Sequence, residues 1–166
     1  MNLGILQKDE LEFIISSLER NGGMSDEEYK LHSIKHPYAV EREDNDLIIS
    51  TMKHYGLSDH KLNEFILNKF GNKNYEIDFF YELIYGVGSY TNPHRDKKIC
   101  AQTTLILLSD NFIGGDLIVD NKKVPFNKKG VYLNFDGNKN IHEVKPILSG
   151  ERRVLVIMFN RKNSII

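Results

Sequence analysis

The chain has 166 residues, 40% of them hydrophobic and 27% charged, which suits one domain with a core of its own. A formal net charge of -1 and a pI near 6.6 exclude a broadly cationic surface, so composition gives no support for general nucleic-acid binding. One cysteine, Cys100, excludes an internal disulfide, and no apolar run is long enough to span a bilayer. The N-terminal MNLGILQKDELEF has neither the cationic start nor the apolar stretch of a secretory signal, so a cytoplasmic protein without a membrane partner is expected. No pattern in the chain speaks for an oligomeric state.

In chain order, the first signals are helical. Leu11, Ile14, Ile15 and Leu18 recur at helical spacing, and Gly22-Gly23 stops the run. Asp44 or Asn45 is placed to cap a second helix carrying Leu47, Ile48 and Met52. Asp59 is placed to cap a third, with Leu62, Phe65, Ile66 and Phe70 on one face and Gly71 at its end. Between the first two, residues 27–43 carry few structure signals and read as a lid or an inert connector.

From residue 74 onward the pattern changes to strands and turns. Strands are expected at Tyr75 to Tyr85, Thr103 to Leu108, Leu117 to Val119, Val131 to Phe135 and Val154 to Phe159. Turn chemistry separates them at Asn92-Pro93, Gly114-Gly115, Asp120-Asn121, Asp136-Gly137 and Ser149-Gly150. Many short strands after a helical start predict a mainly β chain with N-terminal helices (α+β), a sandwich or jelly roll with helices on one face. The expected organisation is a single domain over 1–166, with 1–73 a helical support and 74–162 the β core.

Chemistry concentrates at Pro93-His94-Arg95-Asp96. On an extended segment residues i and i+2 project to the same side, so His94 and Asp96 can converge on one ion. His142 lies downstream beside a predicted strand and becomes a third ligand if that strand neighbours the first. Two His and one carboxylate form the facial set that suits Fe(II) and leaves coordination positions open. The pair alone is weak evidence, because a loop His bonded to a nearby carboxylate gives the same spacing. Arg152 and Arg153 enter the last apolar strand. A guanidinium deep in a barrel suits a distal carboxylate, and strand alternation lets only one of the two face inward.

Taken together, these residues resemble the prolyl 4-hydroxylase-like 2-oxoglutarate/Fe(II) oxygenases. The likeness runs through YGVGSYTNPHRD at 85–96, TTLILLSD at 103–110, the Gly114-Gly115 turn, GVYLNF at 130–135 and HEVKPILSGER at 142–152. It covers roughly residues 81 to 160, about half the chain, in the family's order. The resemblance implies a double-stranded β-helix (the jelly roll, cupin-like) with His94, Asp96 and His142 as iron ligands and as the catalytic set. It implies Arg152 on the distal carboxylate of 2-oxoglutarate, with Tyr85 a hydroxyl on the same co-substrate or a core aromatic. Thr103, if its strand is regular, shares a face with Leu105 and Leu107 and adds a hydroxyl to that pocket. Some relatives carry a Tyr on this strand where the chain has Leu107. Fe(II), 2-oxoglutarate and O2 are the implied cofactor and co-substrates, with ascorbate admitted as an accessory.

The implied reaction is hydroxylation of a C–H bond, first of a prolyl residue in a peptide or protein, otherwise of a free amino acid or other small molecule. Loops at Ser89 to Asn92, Arg95, Lys97-Lys98 and Asn111 to Ile113 are candidates for choosing the substrate. Nucleic-acid demethylation is disfavoured by the charge and by the Gly150-Glu151-Arg152 arrangement after His142. A zinc hydrolase would need a nearby carboxylate base, and Glu143, adjacent to His142 on a strand, faces the wrong way. A binding module that has lost its chemistry is disfavoured by the complete ligand set.

Overall fold

A computed structural model describes residues 1–25, 47–48, 51–96 and 100–162. The elements in chain order are Asn2–Ile5 (β1), Lys8–Asn21 (α1), Met24–Ser25 (β2), Leu47–Ile48 (β3), Thr51–Tyr55 (β4), His60–Phe70 (α2) and Tyr75–Tyr85 (β5). Then come Tyr90–His94 (β6), Gln102–Leu107 (β7), Phe112–Gly114 (β8), Leu117–Val119 (β9) and Lys122–Val124 (β10). Val131–Phe135 (β11), His142–Val144 (β12), Ile147–Gly150 (β13) and Arg152–Arg161 (β14) complete the series.

The helices form where their end chemistry dictates. At the start of α1 the Gln7 backbone N–H donates to Glu10 Oε1 at 2.9 Å, and Gly22, at φ 56°, closes the other end with its N–H on the Leu18 carbonyl. Asp59 caps α2 by accepting from the Leu62 N–H at 3.1 Å, and the helix stops at Gly71. Leu11, Ile14 and Leu18 of α1 and Leu62, Ile66 and Phe70 of α2 are buried, the apolar stripe of each helix.

One sheet has seven strands in the order β1-β11-β7-β14-β5-β4-β2, a second has five in the order β10-β9-β12-β6-β3, and β13 pairs with β8. The pairings are antiparallel throughout the described strands. Two apolar layers result. Leu83, Leu105, Leu107, Leu133, Val154 and Val156 of the large sheet meet Leu117, Val119 and Val144 of the smaller one inside the barrel. On the outer face Phe80, Ile106, Leu155, Ile157 and Phe159 pack against α1 and α2. Both faces of β14 are therefore covered, which is why its sequence reads as an almost unbroken apolar run. The architecture is a double-stranded β-helix, a jelly roll with helices on one face.

Two expectations are corrected. Leu47, Ile48 and Met52 do not lie on a helix: the first two form β3, and Met52 sits in β4. In β4 Met52 and His54 are buried while Thr51, Lys53 and Tyr55 are not, an alternation of period two that pairing with β5 rewards. The proposed caps Asp44 and Asn45 and the 27–43 segment lie outside the described residues. The stretch 1–73 is also more than helical support, since β1 to β4 within it all join the sheets.

Candidate metal centre

Antiparallel pairing of β6 with β12 sets His94 directly opposite His142. Their rings lie side by side with centroids 4.2 Å apart, and Asp96 follows two positions beyond the end of β6. Asp96 Oδ1 is 3.4 Å from His142 Nε2 and 3.8 Å from His94 Nε2. One donor atom from each of the three side chains lies within 4.8 Å of the others, the one such group among the described residues. These atoms can hold a single divalent ion.

Each imidazole is oriented by the same device. His94 Nδ1 bonds the Asn92 carbonyl at 2.7 Å, and His142 Nδ1 bonds the Asn140 carbonyl at 2.9 Å. A carbonyl only accepts, so Nδ1 carries a proton and Nε2 faces the centre, where it presents its lone pair to an ion once its own proton is lost. Phe135 supports His142 edge to face, with centroids 4.8 Å apart. Asp96 is held from two sides: Thr103 Oγ1 donates to Oδ2 at 2.6 Å, and the Asp96 N–H donates to the Gly137 carbonyl at 2.6 Å. Burial alone would raise the Asp96 carboxyl, but the His142 contact, Thr103 and His94 bring it below its ordinary value. Burial likewise lowers His142, and the Asp96 carboxylate more than reverses that. The acid is thus ionised, as a ligand must be.

β14 begins with Arg152, register-paired to Tyr85. Arg152 is fully buried, yet among the described residues its Nε, Nη1 and Nη2 have no hydrogen-bond partner of good geometry, and the Tyr85 hydroxyl beside it offsets burial only in part. Its guanidinium carbon lies 5.0 Å from the ring centre of Tyr85 and 5.6 Å from that of Phe126. Two aromatic faces offset part of the desolvation of a cation but satisfy none of its donors. Gly115, at φ +67°, makes room for the stem: a Cβ there would come within 3.0 Å of Arg152 Cδ. Arg153 points to the outer face and forks onto Glu82, with Nε to Oε2 at 2.9 Å and Nη2 to Oε1 at 3.0 Å. The pair of arginines left open by alternation is thereby resolved, with Arg152 facing inward.

The Tyr85 hydroxyl bonds Thr91 Oγ1 at 2.8 Å beside the guanidinium. Thr103 lies on the inner face with Leu105 and Leu107, but its hydroxyl serves Asp96 and not the Arg152 end. Glu143 forms an ion pair with Lys145 at 2.9 Å on the face opposite His142. Among the suggested substrate loops, residues 112–114 pair with β13, the strand leading into Arg152, so they border that end. Lys97-Lys98 lies outside the described residues. Gly137 was legible only as a turn residue; a Cβ there would overlap Asp96 Oδ2 and Thr103 Oγ1. Phe126 and the orienting carbonyls of Asn92 and Asn140 carry no sequence signal, since every residue has a carbonyl and any core has a Phe.

No protein-family model and no curated protein matches the chain. Solved structures do. The viral collagen prolyl hydroxylase of Paramecium bursaria Chlorella virus-1, solved with 2-oxoglutarate, superposes at TM-score 0.61 with 17% identity, over 96% of this chain and 95% of that one. A Pseudomonas putida prolyl-4-hydroxylase gives 0.58 and 14%, over 97% and 92%. A Trichoplax adhaerens prolyl hydroxylase, solved with a hypoxia-inducible-factor peptide fragment, gives 0.57 and 19%, over 94% and 92%. At such identities the likeness speaks for architecture, and the chain has the double-stranded β-helix fold of the prolyl 4-hydroxylase-like 2-oxoglutarate/Fe(II) oxygenases.

Proposed function

We propose that the protein is an Fe(II)- and 2-oxoglutarate-dependent dioxygenase that hydroxylates a C–H bond, with a prolyl residue of a peptide or protein as the first candidate substrate. The observation that carries this reading is the buried, unpartnered guanidinium of Arg152 in the same barrel as the His94, Asp96 and His142 donor set. A buried cation without a partner is strongly unfavourable, and a small dianion reaching between it and a metal would supply the missing acceptors. Both ends of 2-oxoglutarate fit: a 2-oxo acid to chelate, and a second carboxylate for the guanidinium. Two imidazoles and one carboxylate leave three positions of an octahedral ion for that chelate and O2.

Bound Fe(II) would supply the redox chemistry, in which substrate R–H, O2 and 2-oxoglutarate give R–OH, succinate and CO2. The protein's own part is geometric. The Asn92 and Asn140 carbonyls fix the imidazoles, Thr103 and Gly137 fix the carboxylate, and Arg152 orients the co-substrate beside Tyr85 and Phe126. The aliphatic walls between them keep water away from a reactive centre. Within this reading 1–166 works as a single oxygenase domain in the cytoplasm, and ascorbate dependence is one variable of its assay.

The test is succinate release measured with and without Fe(II) and 2-oxoglutarate, combined with a mass-spectrometric screen of proline-containing peptides and free amino acids for a gain of one oxygen. His94→Ala and Asp96→Ala should each abolish succinate release while the circular dichroism spectrum is kept. Undiminished turnover in either variant sinks the ligand assignment. A gain of oxygen on free amino acids alone moves the substrate from peptide to small molecule.

A further inference from the structure

β7 carries two adjacent threonines with opposite tasks. Thr104 faces the outer layer, where its hydroxyl bonds Asn134 Oδ1 at 2.7 Å. Thr103 faces the barrel, 1% exposed, and meets Asp96. A hydroxyl has one proton to give. Three acceptors or near-acceptors surround Thr103 Oγ1: Asp96 Oδ2 at 2.6 Å, Cys100 Sγ at 3.4 Å and Met158 Sδ at 3.5 Å. A short bond to a carboxylate oxygen is far stronger than a long one to neutral sulfur, so the proton goes to Oδ2.

This divides the labour of the carboxylate. Oδ2 is tied to Thr103, while Oδ1 is the oxygen near both Nε2 atoms. Rotation of the group is blocked on the remaining side by the Gly137 backbone, which approaches so closely that a side chain there would overlap Oδ2. We propose that Thr103, backed by Gly137, is a positioning residue that holds Asp96 as a one-oxygen ligand and keeps its second oxygen off the metal. This rests on the reading of His94, Asp96 and His142 as metal ligands.

The consequence follows from counting. With one oxygen from Asp96 the protein fills three of six octahedral positions, leaving two for a chelating 2-oxo acid and one for O2. With both oxygens bound it fills four, the chelate takes the two that remain, and no position is left for O2. Loss of the Thr103 hydroxyl should therefore close the open position of the 2-oxoglutarate-loaded centre while the metal and the chelate still bind, an effect that a merely structural hydroxyl would not produce.

The discriminating pair is Thr103→Ser against Thr103→Ala. Both remove the methyl and differ only in the hydroxyl, so a shared folding defect cancels. Mn(II)-loaded protein saturated with 2-oxoglutarate is followed by water-proton relaxation without turnover, which reads whether a water occupies the one position left on the metal. The Ser variant should enhance relaxation as the parent does, and the Ala variant should lose most of that enhancement. Thr104→Val, on the same strand but the opposite face, should leave it unchanged. Equal relaxation in the Ser and Ala variants overturns the proposal while the ligand assignment stands. Failure of the parent protein to bind Mn(II) at all overturns the ligand assignment, and this proposal with it.

Discussion

Arg152 and Arg153 are chain neighbours with opposite surroundings, and the contrast shows what a buried charge requires. Arg153 is anchored by a forked bond to Glu82, itself fully buried, and its backbone N–H donates to Ser109 Oγ at 2.8 Å. Nearby, burial and then the Glu82 charge push the Tyr55 hydroxyl up to about 12, so Tyr55 stays neutral there. Arg153→Ala would strand the Glu82 carboxylate in the interior. The expected loss is about 3 kcal/mol, the low end for a broken buried pair because Arg153 keeps 42% of its side chain exposed. Urea unfolding checks this, and the 2-oxoglutarate KM should not move. A rise in KM with stability intact would mean that Arg153 is the co-substrate anchor. The sequence could narrow the anchor to these two residues but not choose, because alternation fixes a relative face and not an absolute one. What decides is the register on β5, which sets Arg152 against Tyr85 on the inner face and Arg153 against Ile84, two residues from Glu82, on the outer, and that register is tertiary information.

At the scale of elements, legibility followed length and period. α1, α2, β5 and β11 are long or regular enough for their spacing to be read directly, and Asp59 and Gly71 bracket α2 as their chemistry predicts. β3, β8, β10 and β12 have two or three residues each, too few for any period to register, whereas β9, equally short, shows as the apolar run Leu117–Val119. Met52 was drawn into a helix because Leu47, Ile48 and Met52 fit helical spacing as well as strand alternation. The cap of α2 also does more than start a helix: Asp59 Oδ2 accepts from Arg20 Nη2 and Asn21 Nδ2, each at 3.1 Å, which ties α2 to the end of α1. Asp59→Ala should therefore cost about 1–2 kcal/mol at neutral pH. The carboxyl is held below its ordinary value, first by the Leu62 N–H. Its folded pKa being depressed, the stabilisation is present above the unfolded value of about 4 and fades as pH falls through the lower folded one. Thermal melts of parent and variant should thus differ at pH 7 and converge in strong acid; a gap independent of pH would show that the loss is not that of an ionised cap.

For the whole molecule, the informative feature is that one barrel holds both the His94, Asp96 and His142 donor group and the buried guanidinium of Arg152. The donor group was largely legible, because His94 and Asp96 share a face by local spacing and His142 sits at a recognisable interval before Arg152. The emptiness of the Arg152 donor set was not legible, since it depends on which side chains fail to reach it. It has a thermodynamic consequence that does not depend on knowing the substrate. A fully buried guanidinium without acceptors among the described residues destabilises the ligand-free fold, so Arg152→Met, uncharged and apolar, should melt no lower than the parent. The order should reverse once ligand is added. With Mn(II) present, 2-oxoglutarate at 100 times its Kd should stabilise the parent by about 2.7 kcal/mol, a Tm rise of ~5–10 °C for a chain of this size. The Met variant should show almost none of that rise at the same concentration. Scanning fluorimetry of the two proteins, with and without 2-oxoglutarate, measures all four states. An Arg152→Met protein that melts far below the parent without ligand would make the guanidinium a structural group, and one that gains the full shift would place the co-substrate elsewhere in the barrel.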